Sequence, residues 1–389
     1  MEKLTQAGPQ QLTARTGLSM RNILFYYSSQ QVHTGSPRVL MRLVEGLDRS
    51  CFVPYFLAGH EGNLSTELEK RGTELVRGAT GQIARNTLHR NLGNILSLMH
   101  LLRKHRIDLV HINELGWNSE LALAAWLRRI PVIFHIHNPE QMNSRNINCR
   151  IGSKYLYVSQ ALRNQCNASS VVGEKAVVVY NPINVEQFSS GKILRDDLGI
   201  KEGNFVIGTV AQICQRKGID IIIETAKEVI ASFPHVVFLI AGPDAAGEEQ
   251  YASELRRAVS DQGLAGKIRF LGTRDDIPNF MASLDMFFLP TRSEPFGMVI
   301  VEAMASKKPV VTSNVGGIPE IIPDESYGVT SDVANNDFAN VIRELLNDPN
   351  RLKSVAEKGH ERAVALFNDK VFNAAINGTY SSVLQHRGR

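Results

Sequence analysis

Short runs of β-branched and aromatic residues recur along this chain, separated by stretches whose apolar positions repeat with helical spacing. The runs fall at 22–27, 52–57, 109–112, 132–137, 155–158, 177–180, 206–210, 236–241, 268–271, 286–290 and 310–312. Most are apolar at consecutive rather than alternate positions. A strand buried on both faces reads that way, as in a parallel sheet covered by helices on each side. Helical patterns fill most of the gaps, so the predicted class is α/β.

The alternation breaks at Asn181-Pro182-Ile183-Asn184 and through the polar stretch 189–201, and a fresh strand begins at Phe205. A domain boundary is predicted there, giving an N-terminal domain over 20–187 and a second over 188–367. The last helical pattern follows every strand of the second half, so 368–389 is expected to pack back on the first domain. Residues 1–19 are polar, lack the apolar centre of a signal peptide and are expected to form a disordered leader.

Composition changes this picture little. The 389 residues are 43% hydrophobic and 21% charged, an ordinary globular balance with room for two domains. Four scattered cysteines form no CxxC pair and no zinc-type spacing with histidine, and buried reduced thiols are the reading that fits. No apolar run reaches transmembrane length. These features point to a cytoplasmic protein.

Charge is more informative. The net charge is only +4, but residues 1–188 hold 21 Lys and Arg against 13 Asp and Glu, a net of +8, and the remainder nets −4. The first half is therefore expected to meet something anionic. One stretch concentrates the feature. Over 85–106, Leu88, Leu92, Ile95, Leu96, Met99 and Leu102 make an apolar stripe bordered by Arg85, His89, Arg90, Arg103, Lys104, His105 and Arg106. Such a helix either packs on a sheet or docks on an anionic membrane, at the inner face in this setting. No nucleic-acid partner is expected.

The candidate chemistry sits in the second half. Ser293-Glu294-Pro295-Phe296-Gly297-Met298 follows a strand-like run and opens a helical one that contains Glu302. A helix start offers free N–H groups and the positive end of a dipole, which suits phosphate. A carboxylate before the turn and another inside the helix could hold hydroxyls on either side of that phosphate. A diphosphate flanked by two polyols is a sugar nucleotide. Arg216 and Lys217 lie after the first strand of this half, where ligands bind in open parallel sheets, and a cation there suits a diphosphate.

The first half offers less. Thr34-Gly35-Ser36, between the first strand and a helix, permits close approach of a ligand to backbone. No GxGxxG fingerprint is present, which argues against a dinucleotide enzyme. His135 and His137 share one face at the end of a strand; no third residue of suitable spacing completes a metal site, and a hydrogen-bonding role fits better.

Taken together, 212–218, 294–304 and 316–321 resemble the retaining, GT-B-fold glycosyltransferases of the large family 4, also called glycosyl transferases group 1. The resemblance covers nearly the whole chain after Met20 and is strongest over 206–328. It rests on two Glu eight positions apart around Pro-Phe-Gly, followed by A-x-x-x-P-V-V and G-G-I-P-E-I. It implies two Rossmann-like domains facing across a cleft, with the acceptor on the first and the nucleotide sugar on the second.

By the same resemblance Glu294 contacts donor-sugar hydroxyls, and Phe296, Gly297 and Met298 offer backbone N–H groups. Glu302 would hold the ribose and Lys217 would neutralise the diphosphate. Gly35 is the first-domain loop that closes on phosphate, and His137 lies beside the reacting sugar. Gln212 and Arg216 belong to the same donor loop. The chain departs from the pattern at three points. Ala211-Gln212 replaces Gly-Arg, so Arg216 is the candidate substitute cation; Thr34 replaces one of two glycines; Lys307 stands where Gly is usual.

The expected activity is transfer of a hexose-type sugar from a nucleotide-diphosphate sugar to a glycan or lipid-linked acceptor, with retention. No Asp-x-Asp pair marks the segment, so no metal and no cofactor beyond the donor are expected. Two other readings stay open at this point: a sugar-nucleotide epimerase or hydrolase on the same fold, and a non-catalytic sugar- or membrane-binding protein.

Overall fold

Continuous apolar runs become buried strands. The computed structural model describes residues 20–385 except 33, 60–61, 82–87, 117, 140–146, 167–172 and 336, and only the backbone of 88–90. The chain divides into two units: the part up to Asn181 together with Asp369–Arg389, and Pro182–Asn368. The first unit holds β1 (Arg21–Tyr26), β2 (Phe52–Ala58), β3 (Glu74–Arg77), β4 (Ile107–Ile112), β5 (Val132–Ile136), β6 (Lys154–Tyr157) and β7 (Ala176–Val178). The second holds β8 (Phe205–Val210), β9 (Val236–Ala241), β10 (Ile268–Gly272), β11 (Met286–Leu289), β12 (Val310–Ser313) and β13 (Val329–Ser331).

Strand order is β3-β2-β1-β4-β5-β6-β7 in one sheet and β10-β9-β8-β11-β12-β13 in the other, with parallel pairing throughout. Both sheets are doubly wound. In each, the order reverses beside the first strand, between β1 and β4 and between β8 and β11. In each sheet taken by itself, the loops leaving that pair of strand ends mark the switch point, where such sheets bind ligands.

β3 and β13 are the strands the hydrophobic pattern misses. Both are short edge strands; β3 has charged Glu74 and Arg77 at its ends and buries only Val76. With one half-buried side and few residues, neither writes an apolar run.

The basic helix spans Leu88–Lys104, and its buried stripe differs from the expected one. Asn91, Ile95, Leu98 and Leu102 face inward, whereas Leu92 and Leu96 are 54% and 66% exposed. This leucine-rich segment carries two apolar rows, and tertiary packing selects the row that includes Leu98. Arg85 lies outside the described residues, as do the side chains of Leu88, His89 and Arg90.

The C-terminal helix Asp369–Gln385 belongs to the first unit and packs across β4 and the helix Gly35–Glu45. Arg42 pairs with Asp369, and the buried Tyr380 hydroxyl is hydrogen-bonded to His111 Nδ1 at 2.7 Å. Under this helix lies an unusual polar layer. His111 and His135 stand with ring centroids 5.6 Å apart, and His135 and His137 at 4.4 Å. Phe372 stacks on His135. Neither ring nitrogen of His135 has a hydrogen-bond partner among the described residues.

The departure at Lys307 also has a structural meaning. Its φ is +56°, in the left-handed region, so the position favours glycine on conformational grounds and makes no demand on the side chain.

Candidate functional site

The second unit builds its crevice from two loops. β8 runs into Ala211-Gln212 and the turn Gln215–Lys217, and Gly218 then starts the helix Ile219–Ser232. β11 runs into 290–297 and the helix Met298–Ala305. Backbone stitches the loops together. Arg292 N–H donates to Arg216 O at 2.8 Å, and the Arg292 side chain donates to Gln215 O. Gly218, at φ +68°, approaches so closely that a Cβ there would lie 2.1 Å from Pro290 O. No residue but glycine fits without moving a loop.

That fit brings together residues 77 positions apart. Lys217 Nζ donates to Glu294 Oε2 at 2.5 Å, with side-chain exposures of only 13% and 12%. Arg216 Nη1 stands 4.0 Å from the same oxygen but is 45% exposed, and it also donates to Ser293 O. Glu294 is gripped from behind: its carbonyl accepts from Gly317 N–H at 3.0 Å, and a Cβ on Gly316 would meet that carbonyl at 2.0 Å.

Beyond Glu294 the chain turns at Gly297, whose φ of +112° caps the helix without any side-chain hydrogen bond. Ile300 and Val301 N–H both bond to Gly297 O. The Met298 and Val299 amides lie in the first turn, ahead of the intrahelical ladder. Phe296 is buried edge-on against Phe367 and anchors the turn. Glu302, buried, lies one turn beyond Met298 on the same helix face. Gln212 is exposed just past β8. An ammonium, a carboxylate and the start of a helix therefore converge at one switch point, a set that can hold an anion and adjoining hydroxyls at once.

Gly35 and His137 belong to the first unit. Gly35 is the exposed first residue of the helix Gly35–Glu45. His137 sits just past β5, buried, with Nε2 3.0 Å from Asn113 Oδ1. Asn113 Nδ2 donates to Ser36 O, which fixes the amide orientation. Oδ1 can only accept, so Nε2 carries a proton and donates to it. Burial pushes His137 down to about 3, so it is a weak proton acceptor at neutral pH. Sequence reasoning missed Asn113 and its neighbour Glu114. The signal was present in His111-Ile112-Asn113-Glu114, polar residues at the end of a strand. Among the described residues no group of three His, Cys, Asp or Glu could hold a metal ion.

Comparison with known proteins agrees with this geometry. Residues 191–362 match the model for glycosyl transferases group 1, and residues 33–187 that for glycosyltransferase family 4. A glycosyltransferase of Methanocaldococcus jannaschii is 31% identical over 67% of this chain and 72% of its own. The UDP-Gal:alpha-D-GlcNAc-diphosphoundecaprenol alpha-1,3-galactosyltransferase of Escherichia coli is 26% identical over 67% of this chain and 72% of its own. Anabaena HepE, solved in complex with UDP and glucose, superimposes with a TM-score of 0.78 and 25% identity, over 94% of this chain and all of that one. The chain belongs to the family 4 glycosyltransferases and has their GT-B fold.

Proposed function

We propose that this protein moves a hexose from a nucleotide-diphosphate sugar to a glycan or lipid-linked acceptor and retains the anomeric configuration. The observation that carries the proposal is the Lys217–Glu294 pair beside the Gly297 helix start, at the switch point of the second sheet. The diphosphate would take Lys217 from Glu294 and lie against the Met298 and Val299 amides, with the more exposed Arg216 as a second cation. Glu294, released from the ion pair, would accept from donor-sugar hydroxyls, and Glu302 from the ribose. Such a site works by positioning the donor and stabilising the leaving group. Retention is in keeping with the chain's membership of family 4.

A thermal-shift panel of UDP-, GDP- and ADP-hexoses tests the donor class, followed by assay of the best binder for nucleoside-diphosphate release with a cell lipid extract. UDP-hexoses come first because UDP is the nucleotide named for both HepE and the galactosyltransferase. Release that needs no acceptor would favour a hydrolase or epimerase. Lys217→Ala should weaken nucleoside-diphosphate binding by about 1.5–3 kcal/mol, the scale of a charge-assisted hydrogen bond. Unchanged affinity by calorimetry would move the phosphate cation to Arg216.

The acceptor class extends the proposal to a membrane surface, the inner face for a cytoplasmic enzyme. No described helix is long and apolar enough to cross a bilayer. The helix Leu88–Lys104 nevertheless turns Leu92 and Leu96 outward, and the adjacent helix Ser119–Leu127 exposes Trp126 and Leu127. Exposed Arg103 and Lys104 end the first of these helices, and exposed Arg106 and Arg129 follow the two helices in the chain. Co-sedimentation with anionic liposomes should therefore fall as salt rises, and fall further in Leu92→Ser/Leu96→Ser. Equal binding to neutral liposomes would refute this surface.

A further inference from the structure

The second sheet places its chemistry at its switch point, and the first sheet has a switch point of its own. It lies between the ends of β1 and β4. Asn113 N–H donates to Tyr26 O at 2.9 Å, closing one strand end on the other. Just beyond, Ser28 Oγ donates to Glu114 Oε2 at 2.6 Å, and Asn118 Nδ2 donates to Glu114 Oε1 at 3.0 Å. Glu114 and Asn118 are 2% and 0% exposed, whereas Ser28 is exposed. Asn118 precedes the helix Ser119–Leu127 but does not cap it, because its side chain is turned to Glu114. Its Oδ1, also buried, has no partner among the described residues.

This arrangement is more than a loop anchor requires. Two donors on two different oxygens suit a carboxylate in its ionised form, and the positive end of the following helix favours that charge. Burial opposes it and raises the Glu114 carboxyl. A neutral amide would tie Ser28 down at smaller desolvation cost. What the charge adds is directional. It commits the Ser28 proton inward, so the exposed face of Oγ presents lone pairs only. Such an oxygen recognises a hydrogen-bond donor, and the negative charge behind it repels an anionic one.

We propose that Ser28 contacts a hydroxyl of the acceptor and that Glu114 is its positioning residue. The part of the acceptor that reaches the β1–β4 crevice is then an uncharged polyol and not a phosphorylated or carboxylated one. The inference rests on the reading of the protein as a glycosyltransferase with its acceptor on the first unit.

The test uses the full chain, the nucleotide sugar giving the largest thermal shift, and p-nitrophenyl hexosides with and without a 6-phosphate. The unmodified protein should prefer the neutral hexosides by at least about tenfold, the scale of like-charge repulsion near a protein surface. Ser28→Ala should raise the hexoside KM about tenfold and move the donor KM by less than about twofold, as expected for loss of one hydrogen bond. Ser28→Thr, which keeps the hydroxyl, should restore it. Glu114→Gln should preserve the fold and erase most of the discrimination against the phosphorylated hexosides, an effect that loss of a structural anchor would not produce. Donor turnover with a preference for phosphorylated hexosides, with no hexoside accepted, or with Ser28→Ala indifferent overturns this inference and leaves the donor site standing. Absence of any turnover of a nucleotide sugar overturns the glycosyltransferase reading itself.

Discussion

Glu294→Gln should lower turnover at least ~100-fold, the order of losing one preorganised transition-state contact. The residue is held at both ends: Lys217 donates to the carboxylate Oε2, and Gly317 N–H donates to the backbone carbonyl, against which Gly316 is packed. Glutamine keeps the shape and an oxygen that still accepts from Lys217. It removes the charge that would bind sugar hydroxyls as positive charge develops on the anomeric carbon. Stability should suffer far less, by about 1–2 kcal/mol, because one partner of a largely buried pair is neutralised but not deleted. Steady-state kinetics beside a melting curve separate the two effects. Near-normal turnover would remove Glu294 from the chemistry.

Acid should unfold the first unit well before carboxylate titration does. His111, His135 and His137 are fully buried, and burial holds His111 and His137 at about 3 and His135 well below its ordinary value. The sign follows from linkage. In the unfolded chain these histidines titrate near ~6.5, so below that pH the unfolded state binds more protons and stability falls as pH falls. The loss develops below about pH 6.5 and continues down to about 3, where His111 and His137 become protonated in place. Each neutral histidine contributes ~1.4 kcal/mol per pH unit, so the three together give a slope near ~4 kcal/mol per unit. Against a typical total of ~5–15 kcal/mol, cooperative loss of this unit is expected near pH 5. Both tryptophans, Trp117 and Trp126, lie in this half, so their fluorescence during urea titration at several pH values reports it selectively. His135→Phe, which keeps the stack on Phe372, should flatten the slope by about a third. Stability that stays level from pH 7 to 5 would mean the layer is solvated.

The sequence carried the fold where burial is two-sided. Runs such as 236–241 are apolar at every position, and β9 is buried at every position. Of the four edge strands it showed β7 and β10 but not β3 and β13, whose three or four residues include few apolar ones. The Leu88–Lys104 helix shows a different limit: with two leucine rows available, periodicity alone does not say which one the sheet takes. The donor loops were legible as loops because Gly297, Gly316 and Gly218 punctuate strand ends. The contact between Lys217 and Glu294 was not, since it depends on β11 lying beside β8 in the sheet. Strand neighbours likewise set the histidine layer: His111 pairs in register with Ile133, two residues before His135, and the Tyr380 contact requires a helix that returns from the far end of the chain. Glu114 stood in the sequence only as part of a polar strand end, and its pairing with Ser28 came with β1.

The protein should be incubated with an α-configured UDP-hexose and acceptor in excess chelator, and the new linkage read from its anomeric coupling by NMR. An α-linked product should form in the chelator, with UDP released in step and Lys217 and the Gly297 helix start holding the leaving group. A β-linked product would overturn the proposed retention, because inversion requires a general base on the face of the sugar opposite the leaving group.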